Sequence, residues 1–270
     1  MKLSIEQIDS YKEKGYLIIK DLFISNEIEN LNTAAEKFKD KIDLPNIIRE
    51  RNGAIRSVFA PHQIDESFDW LYRQERIVKP VEQLLESQVY LYQFKINTKR
   101  GLDGEWWEWH QDFPYWHLDD GVKFPNMISV MILFQDTNVL QGPLILIPGS
   151  HKNGIVNFEH KIHLDNANNE EQVTGLMNSL GVDLKYTVKK ELIRNCLKQD
   201  SPIICEGTVG TCIFFHPNLF HASNANLLPF DRNTAIITYN DIYNLPSEKT
   251  SIRPDFLCSR NIEVITKERQ

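Results

Sequence analysis

A histidine and an aspartate stand two residues apart in the segment WHQDF, at His110 and Asp112. Side chains at positions i and i+2 of a strand project to the same side, so these two can reach one ion together. The pair alone is weak evidence, because most such pairs lie on a surface or are hydrogen-bonded core residues. Two histidines and one carboxylate suit oxygen-activating iron(II), since they leave positions for a cosubstrate and O2. A third ligand is therefore required.

Two later histidines, His216 and His221, lie near the end of one predicted strand, and either can supply that ligand. We predict His221, because its His-Ala-Ser context and its spacing to Arg232 fit a cosubstrate site. A guanidinium pairs bidentately with a carboxylate, which suits the distal carboxylate of a dicarboxylic cosubstrate; a solvated surface arginine is the alternative. Ser223 can add a hydroxyl donor to the same carboxylate. Gln93 is an inward-facing amide candidate for the cosubstrate, and a core amide bonded to backbone is its alternative.

The segments that must position these residues change character along the chain. Residues 5 to 14 form a predicted helix with a capping box at Ser4 and a stop at Gly15, followed by a strand over 16 to 19. Ser25 or Asn26 can cap a second helix. Residues 66 to 87 form a third helical region that is predicted to break at Pro80.

From residue 88 the chain consists of short β-rich runs separated by turn residues, such as VYLYQFKIN, MISVMILFQ and NTAIITYN. This pattern predicts a mainly β fold with flanking helices (α+β), whose core is a double-stranded β-helix of the jelly-roll, cupin-like type. We expect a single domain over 1–270. Its helical N-terminal support spans 1–87 and its jelly-roll core spans 88–270, with an insertion at about 159–203.

Charge and composition limit the classes of molecule that the protein is expected to bind. The chain has 37 acidic and 30 basic residues, giving a net charge of −7, and no basic stripe of the kind that nucleic acid requires. No segment reads as a membrane span or a signal peptide, and the four cysteines lack metal or disulfide spacing. We therefore expect a cytoplasmic protein with a small-molecule substrate and no nucleic-acid or membrane partner. Both a monomer and a homodimer remain open.

Three segments carry a family resemblance: WEWHQDFPYWHLDDG, SVMILFQDTNVLQGPLILIPGSHK and HASNANLLPFDR. They resemble the phytanoyl-CoA dioxygenase superfamily, and within it they are closest to ectoine hydroxylase. The resemblance implies that the two histidines and the aspartate bind Fe(II), that Arg232 and Ser223 hold the far carboxylate of 2-oxoglutarate, and that Gln93 helps to position it. It further implies decarboxylation of 2-oxoglutarate to succinate, consumption of O2 and hydroxylation of an unactivated C–H. Ascorbate is the expected reductant in vitro.

Departures from the ectoine enzyme bear on the substrate. Gln111 replaces a serine, and Leu91 and Ile236 stand where that enzyme is expected to place an amide and an aromatic in its ectoine pocket. Trp116 shares parity with the two predicted ligands and can wall a substrate pocket, or else be a core residue. Arg253 can meet a substrate carboxylate, or else lie on the surface. Together these features predict a small zwitterionic substrate, a free amino acid or an amino-acid derivative, in place of ectoine.

Two other outcomes remain open at this level. The same oxidising chemistry can give desaturation or oxidative cyclisation, whereas halogenation is disfavoured because Asp112 occupies the position that a halide needs on iron. A protein of another class, a non-catalytic jelly-roll binding protein, would show no dependence on iron and no turnover of 2-oxoglutarate.

Overall fold

Two facing antiparallel sheets form the core of the fold, as the sequence predicts. The structure is a computed structural model that describes residues 1–39, 44–50, 52–156, 158–160, 184–247 and 253–265. Within these ranges, no helix is long and apolar enough to cross a bilayer.

The larger sheet has seven strands. In spatial order they are β1 (Tyr16–Ile19), β11 (Cys212–Phe215), β6 (Met127–Leu133), β13 (Arg232–Asp241), β4 (Val89–Lys99), β3 (Ile55–Phe59) and β2 (Ile47–Arg49). The smaller sheet has four strands, in the order β10 (Ile203–Ile204), β7 (Leu144–Leu146), β12 (His221–Ser223) and β5 (Trp107–His110). A separate pair joins β8 (Phe158–His160) to β9 (Tyr186–Val188). Neighbouring strands are antiparallel in every case.

Helices cover the outer face of the larger sheet. They are α1 (Ile5–Lys14), α2 (Ser25–Glu36), α3 (Glu66–Tyr72) and α4 (Glu75–Leu85), and a fifth, α5 (Lys190–Leu197), follows β9. The capping box at Ser4 is present, and Gly15 ends α1 with a φ of 79°, a left-handed conformation that favours glycine. The second helix begins at Ser25 itself. Its N-terminus is capped by Glu27, whose carboxylate accepts a hydrogen bond from the backbone of Ile24 at 3.0 Å.

Alternation along the central strands divides the core into two layers. Val130 and Ile132 of β6 pack with the helices, whereas Met131 and Leu133 pack with the smaller sheet. All seven residues of β6 are buried, because the strand is covered on both faces. The inward faces of the two sheets therefore enclose the space in which a buried site can form.

Residues 1–87 differ in two ways from the helical support that the sequence predicts. Their helical region breaks at Arg73 and Gln74, not at Pro80, which lies inside α4 and only removes the donor for the carbonyl of Arg76. Moreover, β2 and β3, which were not expected, lie within residues 1–87 and join the larger sheet together with β1, whose bounds are those predicted. Of the expected insertion, residues 161–183 lie outside the described ranges.

Candidate metal centre and its two cavities

His110, Asp112 and His221 converge between the two sheets. Their potential ligand atoms all lie within 4.8 Å of one another, and all three residues are buried. The Nε2 atoms of His110 and His221 lie 3.9 Å and 3.7 Å from Oδ1 of Asp112. His221 pairs with His110 across β12 and β5, so the sheet itself brings together two side chains that are far apart in sequence. This is the two-histidine, one-carboxylate set that suits iron(II).

The backbone orients both imidazoles. Nδ1 of His110 lies 2.6 Å from the carbonyl oxygen of Glu108, and Nδ1 of His221 lies 2.9 Å from that of Leu219. Each ring therefore donates its Nδ1–H to a carbonyl and keeps the Nε2 lone pair for a metal. Burial and the neighbouring His221 lower the pKa of His110 to about 3, so this ring is neutral at physiological pH.

The carboxylate belongs to a segment just after β5. The backbone N–H of Asp112 donates to the carbonyl of Pro217 at 3.0 Å. Burial raises the pKa of Asp112, but His221, Lys95 and His110 outweigh it, and the net pKa lies below the ordinary value. The intervening Gln111 points the other way: its side-chain nitrogen donates to the carbonyls of Gly154 and Asn218, both at 2.7 Å. Gln111 thus fastens the loop that carries the aspartate.

The other candidate ligand, His216, lies away from the centre. Its ring packs at a tilt against that of His151, with centroids 5.0 Å apart, and its Nδ1 accepts a hydrogen bond from the backbone of Asn218 at 3.0 Å. The geometry therefore favours His221 as the third ligand.

A first cavity adjoins the three ligands and contains Ser223 and Arg232. Arg232 is only 3% exposed, and its Nε and Nη1 atoms have no hydrogen-bond partner among the described residues. Burial lowers the pKa of this guanidinium to about 10, so it remains charged at neutral pH. A buried cation with free donors is costly unless an anion pairs with it, so the cavity fits the carboxylate of a dicarboxylic cosubstrate.

A second cavity lies on the other side of Lys95, Trp107, His110 and Asp112, which border both spaces. The rest of its lining consists of three residues singled out in the sequence and three others: Gln93, Trp116, Arg253, Phe59, Tyr115 and Leu184. Gln93 thus borders this cavity, not the one with Arg232, and its nitrogen donates to the carbonyl of Leu257 at 2.6 Å.

Trp116 and Arg253 reach the second cavity by routes that the sequence did not indicate. Trp116 lies in a π-helical turn, Tyr115–Asp119, so strand parity does not apply to it; its ring packs edge-on against Tyr92. Arg253 is 3% exposed, and its Nη1 donates to the buried carboxylate of Asp120 at 3.0 Å. The Nε of Arg253 has no partner among the described residues.

A bulge in β4 decides which side chains face inward. Thr238 and Tyr239 of β13 pair with Gln93 and Leu91, so Tyr92 is an extra residue in β4. As a result, Leu91 packs in the outer core with the helices and does not line either cavity. The expectation that Leu91 occupies a position in the substrate pocket is therefore wrong, whereas Ile236 does line the first cavity.

Lys95 and Trp107 were missed in the sequence. Lys95 lies two residues after Gln93 on β4, so simple alternation was a sufficient signal for it. Trp107 lies three residues before His110, which is the wrong parity for a regular strand. The register between β12 and β5 shifts between His221 and Ser223, and this irregularity lets Trp107 face the same space.

Comparisons with known proteins agree with this geometry. Residues 11–234 match the family model described as phytanoyl-CoA dioxygenase. An L-proline trans-4-hydroxylase from Streptomyces griseoviridis is 31% identical over 265 residues, which cover 97% of this chain and 96% of the relative. An ectoine dioxygenase from Bordetella bronchiseptica is 29% identical over 271 residues, covering 96% and 83%.

A solved structure extends the likeness to the fold. The crystal structure of EctD from S. alaskensis with 2-oxoglutarate and 5-hydroxyectoine superposes with a TM-score of 0.79 at 27% identity, covering 96% of this chain and 84% of that one. The jelly-roll prediction and the family resemblance are both confirmed. The chain belongs to the phytanoyl-CoA dioxygenase family, as an enzyme that uses iron(II) and 2-oxoglutarate.

Proposed function

We propose that this dioxygenase hydroxylates an unactivated C–H bond of a free cyclic imino acid of the proline type. The observation that carries the proposal is the second cavity, whose described residues offer basic side chains and aromatic rings but no carboxylate other than Asp112. Iron(II) held by His110, Asp112 and His221, together with 2-oxoglutarate and O2, supplies the oxidising chemistry.

Arg232 and Ser223 hold the far carboxylate of the cosubstrate. The guanidinium is buried and has two unpaired nitrogens, and Ser223 borders the same cavity. Lys95 stands between the two cavities and makes no ion pair with the described residues; burial lowers its pKa, and Asp112 opposes that shift. The side-chain nitrogen of Lys95 therefore lies where it can donate hydrogen bonds to a carboxylate of either ligand.

The second cavity selects a zwitterion by its charge pattern. Arg253 and Lys95 provide the basic groups, and Asp112, a metal ligand, is the only carboxylate among the described residues of the lining. The rings of Phe59, Trp107, Tyr115 and Trp116 form much of its wall. A substrate carboxylate is attracted to the cations, while a secondary ammonium lies favourably against aromatic faces. A compact cyclic amino acid satisfies both requirements and buries its methylene groups against the rings.

Ectoine, the substrate named for several relatives, is the second candidate. Gln111 stands where the ectoine enzymes are expected to carry a serine, but its side chain bonds to Gly154 and Asn218, and Ile236 borders the first cavity and not the second. The imino acid is favoured instead by the near-complete coverage of the proline hydroxylase.

The experiment measures succinate formation with iron(II), ascorbate and 2-oxoglutarate across a panel that contains L-proline, other cyclic imino acids, acyclic amino acids and ectoine. We expect a cyclic imino acid to stimulate succinate release and to gain one oxygen atom in the product mass. Stimulation by ectoine alone, or only by acyclic amino acids, would contradict the substrate assignment. Loss of two hydrogen atoms would instead indicate desaturation or ring closure.

A matched pair of histidine variants tests the ligand assignment in the same assay. His221→Asn removes the nitrogen that faces Asp112, and we expect succinate formation to fall by at least about a hundredfold. His216→Asn keeps an acceptor for the backbone of Asn218, and we expect it to retain activity. Equal losses in the two variants would contradict the assignment of His221.

A further inference from the structure

Trp107 is the one aromatic residue that borders both the cosubstrate cavity and the substrate cavity in the described part of the chain. We propose that Arg56 is a positioning residue that holds the Trp107 ring in place as the wall shared by the two cavities. By fixing this wall, Arg56 couples the turnover of 2-oxoglutarate to hydroxylation of the substrate.

The contacts of Arg56 support a clamp. Its guanidinium carbon lies 3.7 Å above the centre of the Trp107 ring, and its Nη2 donates to the backbone carbonyl of Trp106 at 3.1 Å. Its Nη1 lies 3.4 Å from Oε1 of Glu50 and 3.8 Å from Oε2 of Glu105. Arg56 is 1% exposed. A planar guanidinium stacks on an aromatic face while its edge donates hydrogen bonds, and lysine cannot combine the two.

The position of Trp107 explains why a clamp is needed. Among the described residues, its strand, β5, is at the edge of the smaller sheet and forms backbone pairs only with β12, where the register is irregular. An edge strand lacks a second hydrogen-bonded neighbour that would fix its side chains. Arg56 belongs to β3 in the larger sheet, so its side chain joins the two sheets at a side where no ladder between described strands does so.

Because Trp107 borders both cavities, movement of its ring affects both ligands. The Trp107 ring centroid lies 6.2 Å from that of His110, so a displaced ring changes the boundary of both cavities beside the metal ligands. A loose wall lets 2-oxoglutarate react while the substrate C–H is poorly placed, because productive transfer requires close alignment of the reacting groups. We therefore expect loss of Arg56 to lower the amount of hydroxylated product that forms for each succinate released.

The test compares Arg56→Met and Arg56→Lys with the parent enzyme. Two quantities are measured: the dissociation constant of 2-oxoglutarate in the anaerobic iron(II) complex, followed by its visible absorption, and the ratio of hydroxylated product to succinate. For Arg56→Met we expect the dissociation constant to rise and the ratio to fall, each by about tenfold. Arg56→Lys keeps the charge without the planar face and is expected to give an intermediate result. It also serves as the informative variant if Arg56→Met does not fold.

Arg76→Met is the matched control for a merely structural role. Arg76 also stacks on a ring, that of Phe23 at 4.1 Å, and also pairs with a glutamate, Glu27, but borders neither cavity. Its loss is expected to lower the melting temperature and leave both site measurements unchanged. A double variant of Arg56→Met with Trp107→Ala is expected to be no worse than Trp107→Ala alone. Additive effects, or equal site defects in Arg76→Met, would overturn the proposal.

The product ratio rests on the proposed function, since it requires the right substrate, but the dissociation constant does not. If no imino acid is hydroxylated and the dissociation constant still rises in Arg56→Met, the proposed substrate fails while the role of Arg56 stands. An unchanged dissociation constant in both Arg56 variants overturns the role of Arg56 whatever the substrate is.

Discussion

At the level of single residues, burying the unpaired charge of Arg232 destabilises the folded protein, and only a bound anion can offset this cost in free energy. It is buried, and no carboxylate lies within ion-pair distance of it among the described residues. We predict that Arg232→Met raises the KM for 2-oxoglutarate by roughly 10- to 100-fold, because a charge-assisted hydrogen bond is lost. The same variant removes a buried unpaired charge, so the metal-free protein should melt at a higher temperature than the parent.

Both outcomes can be read from one set of samples. Succinate formation against 2-oxoglutarate concentration gives the KM, and thermal unfolding with and without 2-oxoglutarate gives the two melting temperatures. The parent should be stabilised by the cosubstrate and the variant should not. A variant that melts lower than the parent and keeps its KM would show that Arg232 is a structural residue.

The residues of the site could be predicted from the sequence, but the cavity that each of them borders could not. The three predicted ligands meet, and Arg232 and Ser223 share one cavity. Gln93 was expected beside these two and instead borders the other cavity, because it pairs with Thr238 of β13, six residues beyond Arg232. Which part of a strand lies beside a given cavity depends on the pairing of distant strands, so local alternation cannot reveal it.

At the level of elements, β9 supports the π-helical turn that carries Trp116. The hydroxyl of Tyr186 donates to Oδ1 of Asp119 at 2.8 Å, and the backbone N–H of Tyr186 donates to the hydroxyl of Tyr115 at 3.2 Å. We predict that Tyr186→Phe loosens this turn and raises the KM for the substrate about fivefold. The KM for 2-oxoglutarate should not change, because none of these residues borders the first cavity.

Tyr11→Phe is the control for this prediction. The Tyr11 hydroxyl is buried in α1 with no partner among the described residues, so its removal should leave both KM values unchanged and should not lower stability. Steady-state kinetics with each ligand varied in turn separates the cases. Parallel increases in both KM values for Tyr186→Phe would indicate a general loss of structure.

Elements with strong local signals could be predicted, and those held by distant contacts could not. The bounds of α1 follow from its capping box and Gly15, and both are visible in sequence. By contrast, β2 and β3 are short and lie between helical segments, and they exist because β3 pairs with β4 some forty residues later. The break in the third helical region was also predicted in the wrong place. Local rules put a proline at a helix end and so predict the break at Pro80, whereas α4 packs on the sheet with Pro80 inside it.

For the whole molecule, two partly buried, neutral histidines predict sensitivity to acid. Burial lowers the pKa of His62 to about 4 and that of His216 to about 3. The unfolded chain binds a proton on each near pH 6.5, but the folded protein does not. The stability from this source is therefore complete above about pH 6.5 and is lost as the pH falls towards the folded values. Each histidine contributes a slope of about 1.4 kcal/mol per pH unit in this range.

Urea unfolding of the metal-free protein between pH 7 and pH 5 measures this slope. His62 stacks on Phe94 and meets Tyr72 edge-on, so His62→Phe should fit the same space. The variant is expected to keep the stability of the parent near pH 7 and to lose the contribution of one histidine to the slope. An identical slope in parent and variant would show that His62 does not bind a proton on unfolding.

The two cavities also differ in the kind of segment that forms them. The first is bordered largely by strands of the two sheets, whereas part of the second comes from a π-helical turn, the residue Leu184 and the Arg253 segment, none of which lies in a strand. Connections between strands accept insertions and substitutions far more readily than the strands themselves. Natural variation and directed evolution can therefore redirect this scaffold to new molecules by rewriting those connections, while the oxidising centre stays as it is.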